Sequence, residues 1–219
     1  MKPSNAIKSY LIKLYDCCIR QVDQCIGLLT DFVKNKFKDV LIIITADHGD
    51  AFWEHGFYGH AVPYDEIIHV PLIILGKGIK KGLRISEQIG LSSILPTILE
   101  YLDLQVEKYM FGKSLFTENA FNRPVISTAI DTHFKTISIS YRSNKYKYIR
   151  RVRYLDPNNT RVYEELYLVE YDSGEKENKI NAFRTIADAA YRYICDTYKK
   201  YFKSRDFLRR KLFTLRRCY

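Results

Sequence analysis

The sequence predicts an α/β fold, with helices flanking a mostly parallel sheet, then a small antiparallel β-sheet and a C-terminal helix. Three observations carry this prediction. Apolar residues recur at three- and four-residue steps from Ile7 to Leu29, the pattern of a helix with one buried face. The run Val40–Ile44 has only β-branched residues and leucine, which is typical of a strand buried on both faces of a parallel sheet. Period-two alternation appears only after residue 120.

The remaining elements follow from the same patterns. A long polar and aromatic loop is predicted from Thr45 to Asp65, a helix from Leu91 to Leu102, and a last helix from Ile180 to Phe202. Ser143-Asn144 favours a hairpin turn. The further predicted strands are Val70–Leu75, Arg123–Ile130, Phe134–Tyr141, Lys145–Val152 and Val162–Glu170. We therefore expect an α/β domain over 1–120, a β appendage over 121–180, and a helix with a basic tail over 181–219.

Composition and charge narrow the function classes. The 219 residues are 47% apolar and 27% charged, enough for a packed core, and no apolar run is long enough for a membrane helix. Of the net charge of +10, the segment Lys199–Arg217 supplies +8, through nine Lys or Arg and one acid. Because the positive charge is concentrated in a tail, we do not expect a nucleic-acid-binding surface spread over the fold. Five cysteines without CxxC spacing favour reduced thiols, and reduced thiols favour a cytoplasmic location.

The candidate chemistry lies directly after the first predicted strand. Four of the five histidines, His48, His55, His60 and His69, fall within 22 residues. Asp47 and His48 follow the strand, where ligands of open α/β sheets gather, and a carboxylate with an imidazole can hold a divalent metal. Gly49 would let the backbone turn without a Cβ near that ion. The alternative is that Asp47 caps a helix while His48 packs.

Several collinear blocks resemble the C-terminal half of the sulfatases, members of the alkaline phosphatase superfamily. The resemblance is specific from about Ile7 to Phe116, weaker to Ile180, and absent from the tail. The blocks are the helix Tyr15–Leu29; Thr45-Ala46-Asp47-His48-Gly49-Asp50; Glu54-His55-Gly56 with Gly59-His60; Tyr64–Ile73; Leu95-Pro96-Thr97-Ile98-Leu99 with Ser92 or Ser93 near the family's Asp; Tyr146-Lys147-Tyr148; and Glu165-Leu166-Tyr167 with Glu175–Asn178.

The resemblance implies a partial alkaline-phosphatase-like sandwich and a set of site residues. Asp47 and His48 match a pair of ligands for Ca²⁺ or Mn²⁺, and His60 matches the position that contacts the sulfuryl or phosphoryl oxygens of the substrate. Glu54 and His55, in the same loop, are candidates to orient these groups. The remaining two histidines are expected to pack or lie at the surface: His69, which replaces the family's usual Arg, and His133.

The family's nucleophile is not among the residues of this sequence. In sulfatases it is a Cys or Ser in a C/S/T-x-P-x-R segment, oxidised to formylglycine, and paired acidic ligands stand near the start of the sheet. Neither feature is present here. We therefore expect a metal-dependent sulfuric ester hydrolase fragment of the arylsulfatase type that is inactive alone and needs a complementing N-terminal chain.

Three alternatives stay open at this point. The chain could instead belong to a phosphomonoester or phosphodiester hydrolase or a phosphotransferase, since the same superfamily includes these enzymes. The chain could instead be a non-catalytic binding or subunit module that keeps only the framework. The tail, with apolar residues at helical spacing among its basic ones, could bind an anionic membrane surface through residues 199–217.

Overall fold

The structure, a computed structural model, describes residues 3–156 and 159–201. It contains four α-helices and eight strands in that part of the chain. The helices are α1 Asn5–Lys36, α2 Asp65–Ile68, α3 Ile94–Tyr101 and α4 Arg184–Tyr201. The strands are β1 Ile42–Thr45, β2 Ala51–Phe52, β3 Tyr58–Gly59, β4 Leu72–Leu75, β5 Val125–Asp131, β6 Thr136–Arg142, β7 Lys147–Asp156 and β8 Asn159–Tyr167.

The chain divides into two compact units. The first unit comprises Met1–His60 and Glu66–Ile85, and the second comprises Ala61–Asp65 and Ser86–Tyr219. This division differs from the predicted boundary near residue 120, because α3 belongs to the second unit. There the Thr97 hydroxyl donates to the Ser93 carbonyl (2.6 Å) and accepts the Leu115 N–H (3.0 Å), which joins α3 to the segment that follows it.

The two longer strands of the first unit pair antiparallel, which corrects the predicted parallel arrangement. Ile42 lies opposite Leu75, and Thr45 lies opposite Leu72. A parallel pair needs a crossover that returns the chain to the far end of the sheet. Here the connection consists of the small β2–β3 hairpin and α2, and β4 begins beside the end of β1. Mixed α/β structure is confirmed, and the long loop predicted over 45–65 contains this hairpin and the start of α2.

Helix α1 forms as predicted, but the buried face predicted for it is wrong for the described residues. Ser4 caps its start by accepting the Ile7 N–H. None of its 32 residues is buried, and apolar side chains such as Val22 (56% exposed) and Leu29 (62% exposed) face solvent. A helical apolar stripe is buried only where another element packs on it. In the described part of the first unit Tyr15 contacts Phe52 edge to face, while most of the stripe stays exposed.

The second unit confirms the predicted antiparallel sheet and last helix. Strands β5, β6, β7 and β8 are neighbours in chain order, each antiparallel to the next. Helix α4 packs on this sheet, and its Ile194 is fully buried with Tyr148 of β7 and Leu166 of β8. The sheet therefore has one face covered by a helix of its own unit, and this face is the main apolar core of the described residues.

The described helices contain no segment long and apolar enough to cross a lipid bilayer. Cys17, Cys18 and Cys25 are exposed free thiols on α1, and Cys195 is buried in α4. The predicted amphipathic tail lies outside the described residues from position 202 onward, as does Cys218.

Candidate metal and anion site

A tight turn after β1 is held by two hydrogen bonds to backbone carbonyls within the first unit. The Thr45 hydroxyl donates to the Pro71 carbonyl (2.7 Å), and the Gly49 N–H donates to the Ile67 carbonyl (2.7 Å). A Cβ on Gly49 would lie only 2.3 Å from the Glu66 carbonyl oxygen. Glycine is therefore required by the close approach of two backbone segments, which replaces the predicted reason, a nearby ion.

Asp47 and His48 extend from this turn with their polar atoms toward each other. One Asp47 oxygen accepts the His48 backbone N–H (3.0 Å), and the other lies 3.6 Å from His48 Nε2. The Asp47 side chain is 89% exposed. His48 Nδ1 lies 2.9 Å from the Gly49 carbonyl, so we assign the proton to Nδ1 and the free lone pair to Nε2. A carboxylate oxygen and an unprotonated imidazole nitrogen thus face the same point.

His60 comes back to the same place through the β2–β3 hairpin. Its ring stacks on that of His48, with centroids 4.1 Å apart and planes inclined by 23°. Its Nδ1 lies 3.3 Å from an oxygen of Asp50. Asp50 was not singled out from the sequence, because the two-residue strands β2 and β3 are too short to give a periodicity signal.

Glu54 and His55 lie in the hairpin itself and make other contacts. The Glu54 carboxylate accepts the Phe52 N–H, which closes the turn of the hairpin. His55 Nδ1 lies 2.8 Å from the Glu66 carboxylate, in a partly buried pair. Of the other histidines, His69 is exposed before β4, and His133 is exposed beside the Phe134 ring.

A buried charged cluster, which the sequence patterns did not reveal, lies in the second unit. We call Asp65, Arg142, Lys147 and Glu175 the Asp65 cluster. Lys147 is fully buried, with its Nζ 2.8 Å from Asp65 and 2.6 Å from Glu175. Arg142 donates to both Asp65 oxygens, at distances of 2.8–3.1 Å. Two cations thus pair with two carboxylates. Asp65, Lys147 and Glu175 lie in the sequence blocks that resemble the sulfatases, and these ion pairs give the three residues a structural role.

The pKa values of the two carboxyl groups in the Asp65 cluster are shifted in opposite directions. Burial alone would raise the pKa of Asp65, but hydrogen bonds from Arg142 and Lys147 outweigh it and hold that pKa below its usual range. Burial raises the pKa of Glu175, and Lys147 opposes the shift only in part. The Glu175 carboxylate also accepts the backbone N–H of Asp65 (2.8 Å). The cluster therefore fixes the segment Ala61–Asp65 on the sheet of the second unit.

Comparison with known proteins agrees with the sulfatase resemblance. The model of the sulfatase family matches residues 2–104. This part of the chain is similar to the sulfatases. A sulfatase of Formosa agariphila is 28% identical over 176 residues, covering 80% of this chain and 33% of that protein. Arylsulfatase K of Mus musculus is 28% identical over 159 residues, covering 66% of this chain and 29% of that protein. The chain thus spans about a third of the length of these curated relatives.

Solved structures agree with the sulfatase assignment. A Bacteroides thetaiotaomicron structure assigned to the sulfatases is 26% identical, with a TM-score of 0.59, and the match covers 75% of this chain and 38% of that one. The phosphonate monoester hydrolase of Silicibacter pomeroyi shares the fold, with a TM-score of 0.63 and 20% identity over 85% of this chain and 40% of its own. The resemblance recognised in the sequence motifs is confirmed, and with it the alkaline-phosphatase-like fold.

Proposed function

We propose that this chain supplies one part of the active site of a sulfuric ester hydrolase of the arylsulfatase type. In this site Asp47 and His48 hold a divalent metal ion and His60 contacts the tetrahedral anion of the substrate. Two contacts of His48 support the proposal: its Nε2 lies 3.6 Å from an Asp47 oxygen, and its ring stacks on the ring of His60.

Asp47 and His48 can bind a metal ion, but two ligands alone would bind it with low affinity. The exposed Asp47 carboxylate and His48 Nε2 can turn to one ion, as the 3.6 Å separation allows. One oxygen and one nitrogen suit Mn²⁺ or Ca²⁺, although an imidazole tilts the choice away from Ca²⁺. Catalytic sites usually take at least three protein ligands. The ion, when bound, would act as a Lewis acid toward the ester oxygens.

This chain's own residues would bind and orient the substrate. His60 offers its Nε2 edge to the anion, because its Nδ1 edge faces Asp50 at 3.3 Å. Asp50 thereby fixes the ring orientation, and an N–H donor placed across the anion from a metal stabilises negative charge that moves during displacement. Phe52 and Tyr58, whose rings contact edge to face at 6.1 Å, offer apolar surface in the same hairpin for an aryl group.

A complementing segment would supply the nucleophile and the remaining acidic ligands. Two observations support this part of the proposal: the chain spans about a third of its curated relatives, and none of the residues of α1 is fully buried. We infer that the segment packs on α1 and carries the Cys or Ser that becomes formylglycine. A phosphate or phosphonate ester is the second candidate substrate, favoured by the shared fold with the phosphonate monoester hydrolase.

The test is complementation. The full chain is assayed with an aryl sulfate and an aryl phosphodiester, in Ca²⁺ and in Mn²⁺, alone and co-expressed with the N-terminal half of the Formosa agariphila sulfatase in a host that forms formylglycine. We expect turnover only with both parts, lost in Asp47→Ala and His60→Ala and kept in His133→Ala. Turnover by the chain alone that Asp47→Ala abolishes would contradict the proposal. A folded complex that turns over neither ester would favour a non-catalytic module.

A further inference from the structure

The register of the β2–β3 hairpin places a second carboxylate opposite a histidine. Ala51 pairs with Gly59, and Phe52 pairs with Tyr58. Continuing that register by one residue puts Asp50 opposite His60. Directly opposite residues of an antiparallel pair have Cβ atoms about 4.5–5.5 Å apart, so their side chains reach the same point. The 3.3 Å between His60 Nδ1 and an Asp50 oxygen is the result.

Packing around the hairpin holds this register. Ala51 is fully buried, and the Trp53 N–H donates to the Phe57 carbonyl (2.8 Å). The Trp53 ring stacks on Tyr58, with centroids 4.4 Å apart. A one-residue slip would turn every side chain of a strand to the other face. Asp50 and His60 are therefore held together by the fold rather than by a single flexible rotamer.

His48 completes a three-sided group. One ligand atom from each of His48, Asp50 and His60 lies within 4.8 Å of the other two. Metal–ligand bonds of about 2.0–2.2 Å in a tetrahedral site place ligands roughly 3.3–3.6 Å apart. The Asp50–His60 distance already has this value, so only a small rotation of His48 is needed. The Gly49 carbonyl, 2.9 Å from His48 Nδ1, is the kind of outer partner that orients a metal-binding imidazole.

We propose that His48, Asp50 and His60 form a binding site for a divalent transition-metal ion, with Zn²⁺ as the expected occupant. Two imidazoles and one carboxylate favour Zn²⁺ and Co²⁺ over Ca²⁺ and Mg²⁺, which prefer oxygen ligands. Three protein ligands leave one coordination position open. This site shares His48 with the ligand pair proposed above for hydrolysis but takes Asp50 and His60 in place of Asp47, so the two ions would compete for His48. The site is complete within this chain, so it does not depend on a complementing segment or on catalysis.

Co²⁺ is the probe, because its visible absorption reports tetrahedral coordination by the ligands that bind Zn²⁺. The full chain is titrated with Co²⁺ in a background where Cys17, Cys18, Cys25 and Cys218 are serine, which removes thiols that would compete for the ion. The variants are Asp50→Asn, Asp50→Glu, His60→Gln and the matched control His133→Gln. Far-UV circular dichroism establishes that each variant is folded like the parent.

We expect the parent to bind one Co²⁺ that Zn²⁺ displaces and excess Ca²⁺ does not. Asp50→Asn and His60→Gln should weaken binding by more than the roughly 10–100-fold that follows loss of an outer partner of a ligand. Asp50→Glu should recover part of the affinity, and His133→Gln should bind like the parent. The proposal is overturned if the folded parent gives no tetrahedral absorption, or if Asp50→Asn or His60→Gln binds Co²⁺ like the parent. Loss of esterase complementation leaves these results unaffected, so the two proposals fail separately.

Discussion

Replacing Lys147 by methionine tests the Asp65 cluster. The Lys147 side chain is fully buried, with its ammonium 2.8 Å from Asp65 and 2.6 Å from Glu175. Methionine fills a similar volume but removes the charge that both carboxylates face. Removal of one partner from a buried ion pair costs about 3–5 kcal/mol, because the other charge stays buried and uncompensated. We expect the lower end, about 3 kcal/mol, since Arg142 still contacts both oxygens of Asp65.

The loss should depend on pH with a defined sign. Glu175 has a folded-state pKa raised by burial, so its contribution to stability is present below the unfolded pKa and is lost as pH rises through the folded pKa. Lys147 opposes that shift, and its removal makes the buried carboxylate more costly. The destabilisation should therefore be larger near about pH 8 than near about pH 5, the latter being close to the ordinary range of a carboxyl group.

Urea denaturation followed by circular dichroism measures both quantities. The matched control is Lys145→Met, because Lys145 lies exposed in the turn before the same strand. The double variant Lys147→Met with Glu175→Gln should recover part of the loss, since it removes a carboxylate together with its cation. The reasoning would be refuted if the free energy of unfolding of Lys147→Met lay within about 0.5 kcal/mol of the parent value. It would also be refuted if Lys147→Met and Lys145→Met lost the same amount of stability.

Three further predictions concern the turn, acid stability and the tail. Gly49→Ala should cost about 1–3 kcal/mol in urea denaturation, because its Cβ would lie 2.3 Å from the Glu66 carbonyl, whereas Gly27→Ala on α1, with no atom within 4 Å, should stabilise the helix. Asp65 has a lowered pKa, so its stabilisation is lost as pH falls through the folded value; Asp65→Asn should flatten the acid limb of a stability–pH profile, and an unchanged slope would argue against it. Residues 199–217 should drive salt-sensitive co-sedimentation with anionic liposomes, and equal sedimentation of a 1–198 chain would remove the membrane hypothesis.

Local sequence patterns were sufficient for most of the secondary structure. The second unit follows the predicted order of four strands and a last helix, with boundaries shifted by a few residues; β5, for example, runs over Val125–Asp131 where Arg123–Ile130 was predicted. The turn at Ser143-Asn144 closes as predicted, with the Ser143 N–H bonded to the Tyr146 carbonyl. Periodicity and turn residues act over a few positions, and these elements depend on little else.

Local sequence patterns did not determine which strands pair or which helix face is buried. The apolar run that became β1 predicted a parallel neighbour, but its partner in the described residues is the antiparallel β4. The stripe on α1 predicted a buried face, and the described residues leave it exposed. An apolar pattern records which side chains favour burial, whereas the element that covers them depends on where the rest of the chain goes.

The same distinction holds at the site. Motif residues alone identified the family and singled out Asp47, His48 and His60. Only the tertiary structure showed that Asp50 stands opposite His60, because strand register decides which side chains meet, and two-residue strands leave no periodic trace in a sequence. The Asp65 cluster likewise joins charges more than 75 positions apart along the chain, since Arg142 contacts Asp65 at a separation of 77 residues. Distances of that kind come from chain folding, which no local pattern encodes.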